Sequence, residues 1–243
     1  MKILMLLESV FPQDERVEKE IASLLEAGHE LRIATYCFDQ TPFEESYQGY
    51  TIYRSHLSGM MYKFGAAILV LPFYFRFWRK YLDRIYRQWK FEALHIHDLP
   101  LARLGYEYKT KHEVRFVADQ HEFYSSWIVK TAHYNTFLGR IIRRLSNWTS
   151  YEEKYLATAD LVCTVEEPLR ALYLKHYDLD REKLIVIPNT PLKRIYNVPV
   201  RNNPEGSYKL YYHGGLDILR GLDTAITALP LIRKTIPEIR LVL

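Results

Sequence analysis

The chain has 243 residues, 48% of them hydrophobic and 26% charged, with a formal net charge of +4 at pH 7. Apolar content is ample for a core, and at about 150 residues per domain the length allows one large domain or one and a half. No apolar run reaches the ~18–20 residues a membrane-spanning helix requires, and Ile3–Leu7, cut off by Glu8, is too short for a signal-peptide core.

Lys2–Leu7 reads as a buried strand. Val17, Ile21, Leu24 and Leu25 fall on one stripe of a 3.6-residue period, which predicts a helix over Asp14–Ala27, with Glu15 and Glu18 at its positive end and Gly28 just past its last turn. Leu31–Tyr36 reads as the next strand, so a βαβ unit and a parallel sheet are expected. Thr51–Arg54 suggests a short strand, and Met60–Trp89 a helix broken or kinked at Pro72. Strands are then expected at Ala93–His97, Val114–Ala118, Leu161–Val165 and Lys183–Ile187. Helices are expected at Leu99–Lys111, from Phe137 through Ile141 and Trp148 to Thr158, and at Glu167–His176. Cys37 and Cys163 lie in or beside these strands and read as small core residues, which suits a reducing cytosol.

From Pro188 the texture changes: Pro188, Pro191, Pro199 and Pro204, interspersed with asparagines, read as an interdomain crossing over 191–207. Beyond it, Lys209–His213, Asp217–Thr235 and Ile239–Leu243 read as strand, helix and strand. One such unit cannot bury both faces of its strands. The expectation is a doubly wound α/β domain over 1–190 followed, over 208–243, by the opening of a second, incomplete one.

In an open parallel sheet, ligands bind beyond the carboxyl ends of the strands. The residues there are Glu8 and Ser9, then Asp98, then Asp119, Gln120, His121 and Glu122, then Glu166 and Glu167, then Asn189 and Thr190. The first strand lacks the glycine turn that a dinucleotide needs, and no Walker A, H-E-x-x-H, C-x-x-C or G-x-S-x-G sequence is present. His95 and His97 share a strand face and read as a packed pair rather than a metal site. In the second domain, Gly214-Gly215 with Arg220 forms a candidate anion site at a helix start. Lys63, Arg76, Arg79 and Lys80 flank an uncharged stretch, Phe64–Phe75, a pattern suited to an anionic membrane surface.

Five passages in order resemble the family 4 glycosyltransferases, whose GT-B fold sets two Rossmann-like domains face to face. They are Asp14-x-Arg16-Val17 leading to Gly28-His29-Glu30-Leu31, Asp119-Gln120-His121-Glu122, Ala159-Asp160-Leu161-Val162, Ile187-Pro188-Asn189, and Gly214-Gly215-Leu216 with Arg220-Gly221-Leu222. The chain departs from the family at Glu8–Gln13, where a glycine-rich loop is common. Gly215 stands where the family's first diphosphate-binding arginine lies, Arg220 in place of its lysine, and Thr190 in place of a glycine. The family's E-x7-E element would lie downstream of Leu243.

The resemblance implies a retaining transferase moving a sugar from a nucleotide-diphosphate donor, with no metal or other cofactor. It implies that His121 lines the reacting sugar, with Asp119 or Glu122 orienting it, that Asp98 and Ser9 lie on the acceptor side, and that Gly214, Gly215 and Arg220 hold the diphosphate. With the basic segment it implies a lipid-linked or saccharide acceptor of the cell envelope and a cytoplasmic enzyme peripheral to the plasma membrane; nucleic acid is not an expected partner. The rivals are a GT-B sugar-nucleotide epimerase and a non-catalytic basic module.

Overall fold

The computed structural model describes residues 1–12, 14–65, 67–69, 72–130, 144–191, 208–216 and 220–243. They fall into two compact units, Met1–Thr190 and Pro191–Leu243. The first is built from β1 (Lys2–Leu6), α1 (Glu15–Glu26), β2 (Glu30–Cys37), β3 (Glu44–Tyr47), β4 (Tyr50–His56), α2 (Gly59–Gly65), α3 (Pro72–Gln88), β5 (Ala93–His97), α4 (Ala102–His112), β6 (Arg115–Gln120), α5 (Tyr124–Ile128), α6 (Leu145–Ala157), β7 (Leu161–Thr164), α7 (Glu167–His176) and β8 (Leu184–Val186). The sheet runs β3-β4-β2-β1-β5-β6-β7-β8, parallel throughout except for β3. This is the doubly wound α/β architecture expected of a GT-B domain.

The two faces of the sheet follow from the two-residue period of each strand. Leu4, Leu6, Leu94, Ile96, Phe116 and Ala118 pack with Trp78, Leu82 and Ile85 of α3 and Leu104 of α4. Ile3, Met5, Leu7 and Ala93 pack on the other side with Val17 and Ile21 of α1. Asp14 caps α1, its carboxylate accepting from the Arg16 backbone N–H at 3.0 Å, and Gly28 supplies the positive φ (81°) that ends it.

Several boundaries differ from the sequence expectation. The break expected at Pro72 within Met60–Trp89 is present and starts earlier: α2 ends at Gly65, and Pro72 opens α3 as a new first turn. β4 is longer than expected and carries an antiparallel edge strand, β3, turned through Gln48 and Gly49, both at positive φ. β6 continues through Asp119 and Gln120, so both are strand residues rather than loop residues. Of the long predicted helix, Phe137 and Ile141 lie outside the described residues, and the described part is α6.

The second unit holds β9 (Lys209–Tyr211), α8 (Leu222–Ile232) and β10 (Arg240–Val242), with β9 and β10 parallel. The helix starts later than Asp217, after Gly221 at φ 67°; residues 217–219 lie outside the described ones. The expected crossing at 191–207 also lies outside them, save for Pro191.

Candidate active site

The chain passes from β1 to β2 on one side and later from β4 across to β5 on the other, so the sheet's switch point lies between β1 and β5. Glu8, Asp98 and His121 all follow strands at this end of the sheet. Beneath them the α1 side of the sheet turns polar. Ala93, His95 and His97 alternate toward α1, and Asp119 sits opposite His97 in register on β6. Here histidines and an aspartate occupy positions that the period reserves for core residues. All three are buried, at 7, 3 and 3% exposure.

Asp119 and Asp98 hold His121 from both sides. Its Nε2 lies 3.1 Å from Asp119 Oδ2, and its Nδ1 is 3.0 Å from Asp98 Oδ1. His97 Nδ1 approaches the same Asp119 oxygen at 3.0 Å. Burial alone would lower the His121 pKa, but the hydrogen bonds and charges of Asp119 and Asp98 outweigh it and push it up to about 10. Burial would raise the Asp119 carboxyl, yet His121 and His97 hold it well below the usual carboxylate range. The two carboxylates thus favour the imidazolium form of His121, one facing each ring nitrogen.

Asp98 lies at the outer edge of this cluster. Its side chain is 48% exposed and gives one oxygen to His121. With His121 held between the two carboxylates, the half-exposed Asp98 carboxylate is the member of the cluster that reaches solvent. Its backbone sits at φ 64° and ψ 158°, a conformation that is essentially reserved for glycine, and its N–H donates to the Asp119 carbonyl at 2.8 Å. Strain of this kind persists only where surrounding structure imposes it. Here Leu99, Pro100 and Leu101 follow in a fully buried turn.

Behind the site, Glu152 of α6 is wholly buried. It accepts from the N–H groups of Tyr124 and Ser125, both at 3.0 Å, and from the hydroxyls of Tyr173 at 2.9 Å and Tyr177 at 2.8 Å. These bonds pin the start of α5, and with it the loop that carries His121. The sequence signal for Glu152 was a carboxylate four residues after Trp148, on the buried stripe of its helix. Glu20 was equally readable, three residues after Val17 on the buried side of α1. Burial pushes Glu20 up to about 7, with the Asp119 charge acting in the same direction. Burial likewise pushes Glu8 up to about 7 despite a 2.7 Å hydrogen bond from the Tyr74 hydroxyl, and the charge of Asp98 adds to the rise.

The remaining predicted residues are placed as follows. Glu122 is exposed, and its carbonyl accepts from Tyr173; Asp119 and Asp98, not Glu122, orient His121. The Ser9 carbonyl accepts from Thr35. Lys63, Arg76 and Lys80 are exposed. Arg79 is not a free cation, since its guanidinium makes two 2.6 Å bonds to Glu107. Among the described residues of the uncharged stretch, Ala67, Ile68, Tyr74 and Phe75 are buried, while Phe73 is 52% exposed. In the second unit, Gly214 takes φ 153° and a Cβ there would meet the Tyr212 hydroxyl at 2.9 Å. Arg220 directly precedes Gly221, the residue that caps α8, so Gly214-Gly215 is not the turn that opens the helix.

No curated protein sequence matches this chain. Solved structures do. Sucrose-phosphate synthase from Thermosynechococcus elongatus is 15% identical with a TM-score of 0.66, covering 99% of this chain and 61% of its own. The E. coli trehalose-6-phosphate protein bound with UDP-2-fluoro glucose is 12% identical with a TM-score of 0.66, over 99% of this chain and 64% of its own. HepE from Anabaena in complex with UDP-glucose is 13% identical with a TM-score of 0.58, over 99% of this chain and 59% of its own. The chain thus spans about three-fifths of the length of these relatives in fold. The family model described as Glycosyltransferase Family 4 matches residues 16–190, a span that contains all of α1 but Glu15, the buried histidines, Asp98 and the Asp119–His121 pair. By that match, the chain belongs to glycosyltransferase family 4.

Proposed function

We propose that the full-length protein transfers a sugar from a nucleotide-diphosphate donor to an acceptor hydroxyl, with retention at the anomeric carbon, and that the first unit holds the acceptor. The observation that carries this reading is the Asp98–His121–Asp119 arrangement at the switch point of a family 4 chain. A half-exposed carboxylate held by an imidazolium suits the hydroxyl of an incoming saccharide: Asp98 accepts its hydrogen bond and fixes its direction of approach. His121 supplies positive charge in a partly buried setting, where it is worth more than in water. Two of the relatives in fold bind UDP-linked glucoses, which supports a nucleotide sugar as co-substrate.

In this reading the charge developing on the departing diphosphate is met by Arg220 and backbone N–H groups of the second unit, without a metal at that point. Incubating the full-length protein with labelled nucleotide sugars, with and without cell-envelope extract, tests the proposal. Label appearing in the extract supports transfer. A free isomer formed without acceptor would instead mark an epimerase.

The acceptor is proposed to be lipid-linked, with the enzyme on the cytoplasmic face of the plasma membrane. Phe73, Arg76 and Lys80 recur at helical spacing along the exposed side of α3, and Met60, Tyr62 and Lys63 of α2 are exposed as well. Binding to vesicles rich in anionic lipid is expected to weaken with salt and to fall at least fivefold in K63E/R76E/K80E. Equal binding by that variant would refute the membrane assignment.

A further inference from the structure

Beneath Asp98 and His121 lies a second constellation that the transfer reading does not use. Glu20 of α1 reaches across to β5, and its Oε2 lies 3.9 Å from Nε2 of His95 and 3.9 Å from Nε2 of His97. The two imidazoles stack at 4.5 Å between centroids and 23° between planes, so both nitrogens turn toward the same carboxylate. All three atoms are buried and lack a hydrogen-bond partner. Such atoms are rarely left unmet inside a protein, and three of them converging on one point indicate a missing common partner.

We propose that Glu20, His95 and His97 bind one divalent transition-metal ion of the Zn2+ class, with Asp119 orienting His97 from behind. The donor set of two imidazole nitrogens and one carboxylate oxygen suits zinc and its first-row neighbours, and it leaves a coordination position for water. Asp119 Oδ2 lies 3.0 Å from Nδ1 of His97, where a metal-bound histidine normally has a carboxylate or carbonyl facing its other nitrogen and fixing its orientation. One donor atom from each of the four residues lies within 4.8 Å of the others. Tetrahedral bonds of about 2.0–2.2 Å set ligand atoms roughly 3.3–3.6 Å apart, so each 3.9 Å separation between Glu20 and a histidine closes by about half an ångström. The Glu20 side chain is 18% exposed, which gives the ion a way in, whereas His97 is sealed. The ion would sit under the acceptor-side residues and take no part in holding the diphosphate, so the assignment stands apart from the sugar-transfer reading.

The test is metal binding by the chain itself. After treatment with a chelator, the protein is titrated with Zn2+ against a chromogenic competitor, and with Co2+ while visible absorption is followed. One tight equivalent per chain is expected, with Co2+ ligand-field bands. Affinity should fall at least tenfold in E20Q and the tight site should vanish in H95A, while H56A, an exposed histidine, leaves both unchanged. No tight equivalent in the wild-type protein, or the same affinity in E20Q, would overturn the proposal. If H95A fails to fold, E20Q and the wild-type Co2+ spectrum decide the question alone.

Discussion

Asp98 lets backbone strain be separated from side-chain chemistry. At φ 64° and ψ 158° it occupies a region that costs a non-glycine residue about 1–3 kcal/mol. Asp98→Ala removes the carboxylate and keeps the strain. Asp98→Gly removes both, and glycine adds back about 1 kcal/mol through the greater entropy of its unfolded chain. The lost pair with His121 is half exposed, worth about 1 kcal/mol or less, and common to both variants. Asp98→Gly should therefore be more stable than Asp98→Ala by about 1 kcal/mol, or about 2–4 °C in Tm for a unit of this size. Urea unfolding followed by tryptophan fluorescence reads the first unit alone, because Trp78, Trp89, Trp127 and Trp148 are the chain's four tryptophans. If the alanine variant matches or exceeds the glycine variant, the backbone at Asp98 is not strained and this reasoning fails.

Three further outcomes follow from the same geometry. Glu152→Gln sets an amide N–H2 against some of the four donors that Glu152 now accepts from, and should cost about 2–4 kcal/mol in the same unfolding assay; a loss under 1 kcal/mol would show that α5 is anchored elsewhere. Glu8, raised from 4.5 to about 7, binds more protons folded than unfolded, so its contribution to stability falls as pH rises from about 4.5 to 7 and is flat above. Glu8→Gln, which keeps an acceptor for Tyr74, should remove that fall and gain roughly up to 3 kcal/mol over the wild type at pH 8 relative to pH 4.5; parallel pH profiles for the two proteins would contradict it. Vesicle binding by K63E/R76E/K80E, described above, completes the set.

Much of the fold is legible in the sequence because the alternation is strong. β1, α1 and β2 are delimited by an apolar run, a 3.6-residue stripe with a capping aspartate, and a second run. β3 is not legible, because Glu44-Glu45-Ser46 carries no apolar alternation. It is an edge strand whose one partner among the described residues is β4, and charge there guards against pairing with another chain. The site is half legible. Strand ends single out Asp98, Asp119 and His121, but their roles depend on β5 and β6 pairing with His97 opposite Asp119. That register brings Asp98 onto His121 and leaves Glu122 outside. The sequence ranks His121 as the group facing the sugar; the geometry puts its nitrogens between two carboxylates and turns Asp98 outward. Glu20 is legible as a carboxylate on the buried side of α1, but its partners are not: they follow only when α1 is laid over His95 and His97.

The proposed function has a charge-held carboxylate on the first unit receive the acceptor of a sugar transfer. Its most direct test is initial-rate transfer of label from a nucleotide sugar to envelope extract by the full-length protein, comparing wild type with His121→Ala and Asp98→Asn after tryptophan fluorescence has shown both variants to be folded. A fall of at least tenfold in each, about 1.4 kcal/mol of barrier, is predicted. Rates within twofold of wild type in both would contradict the account.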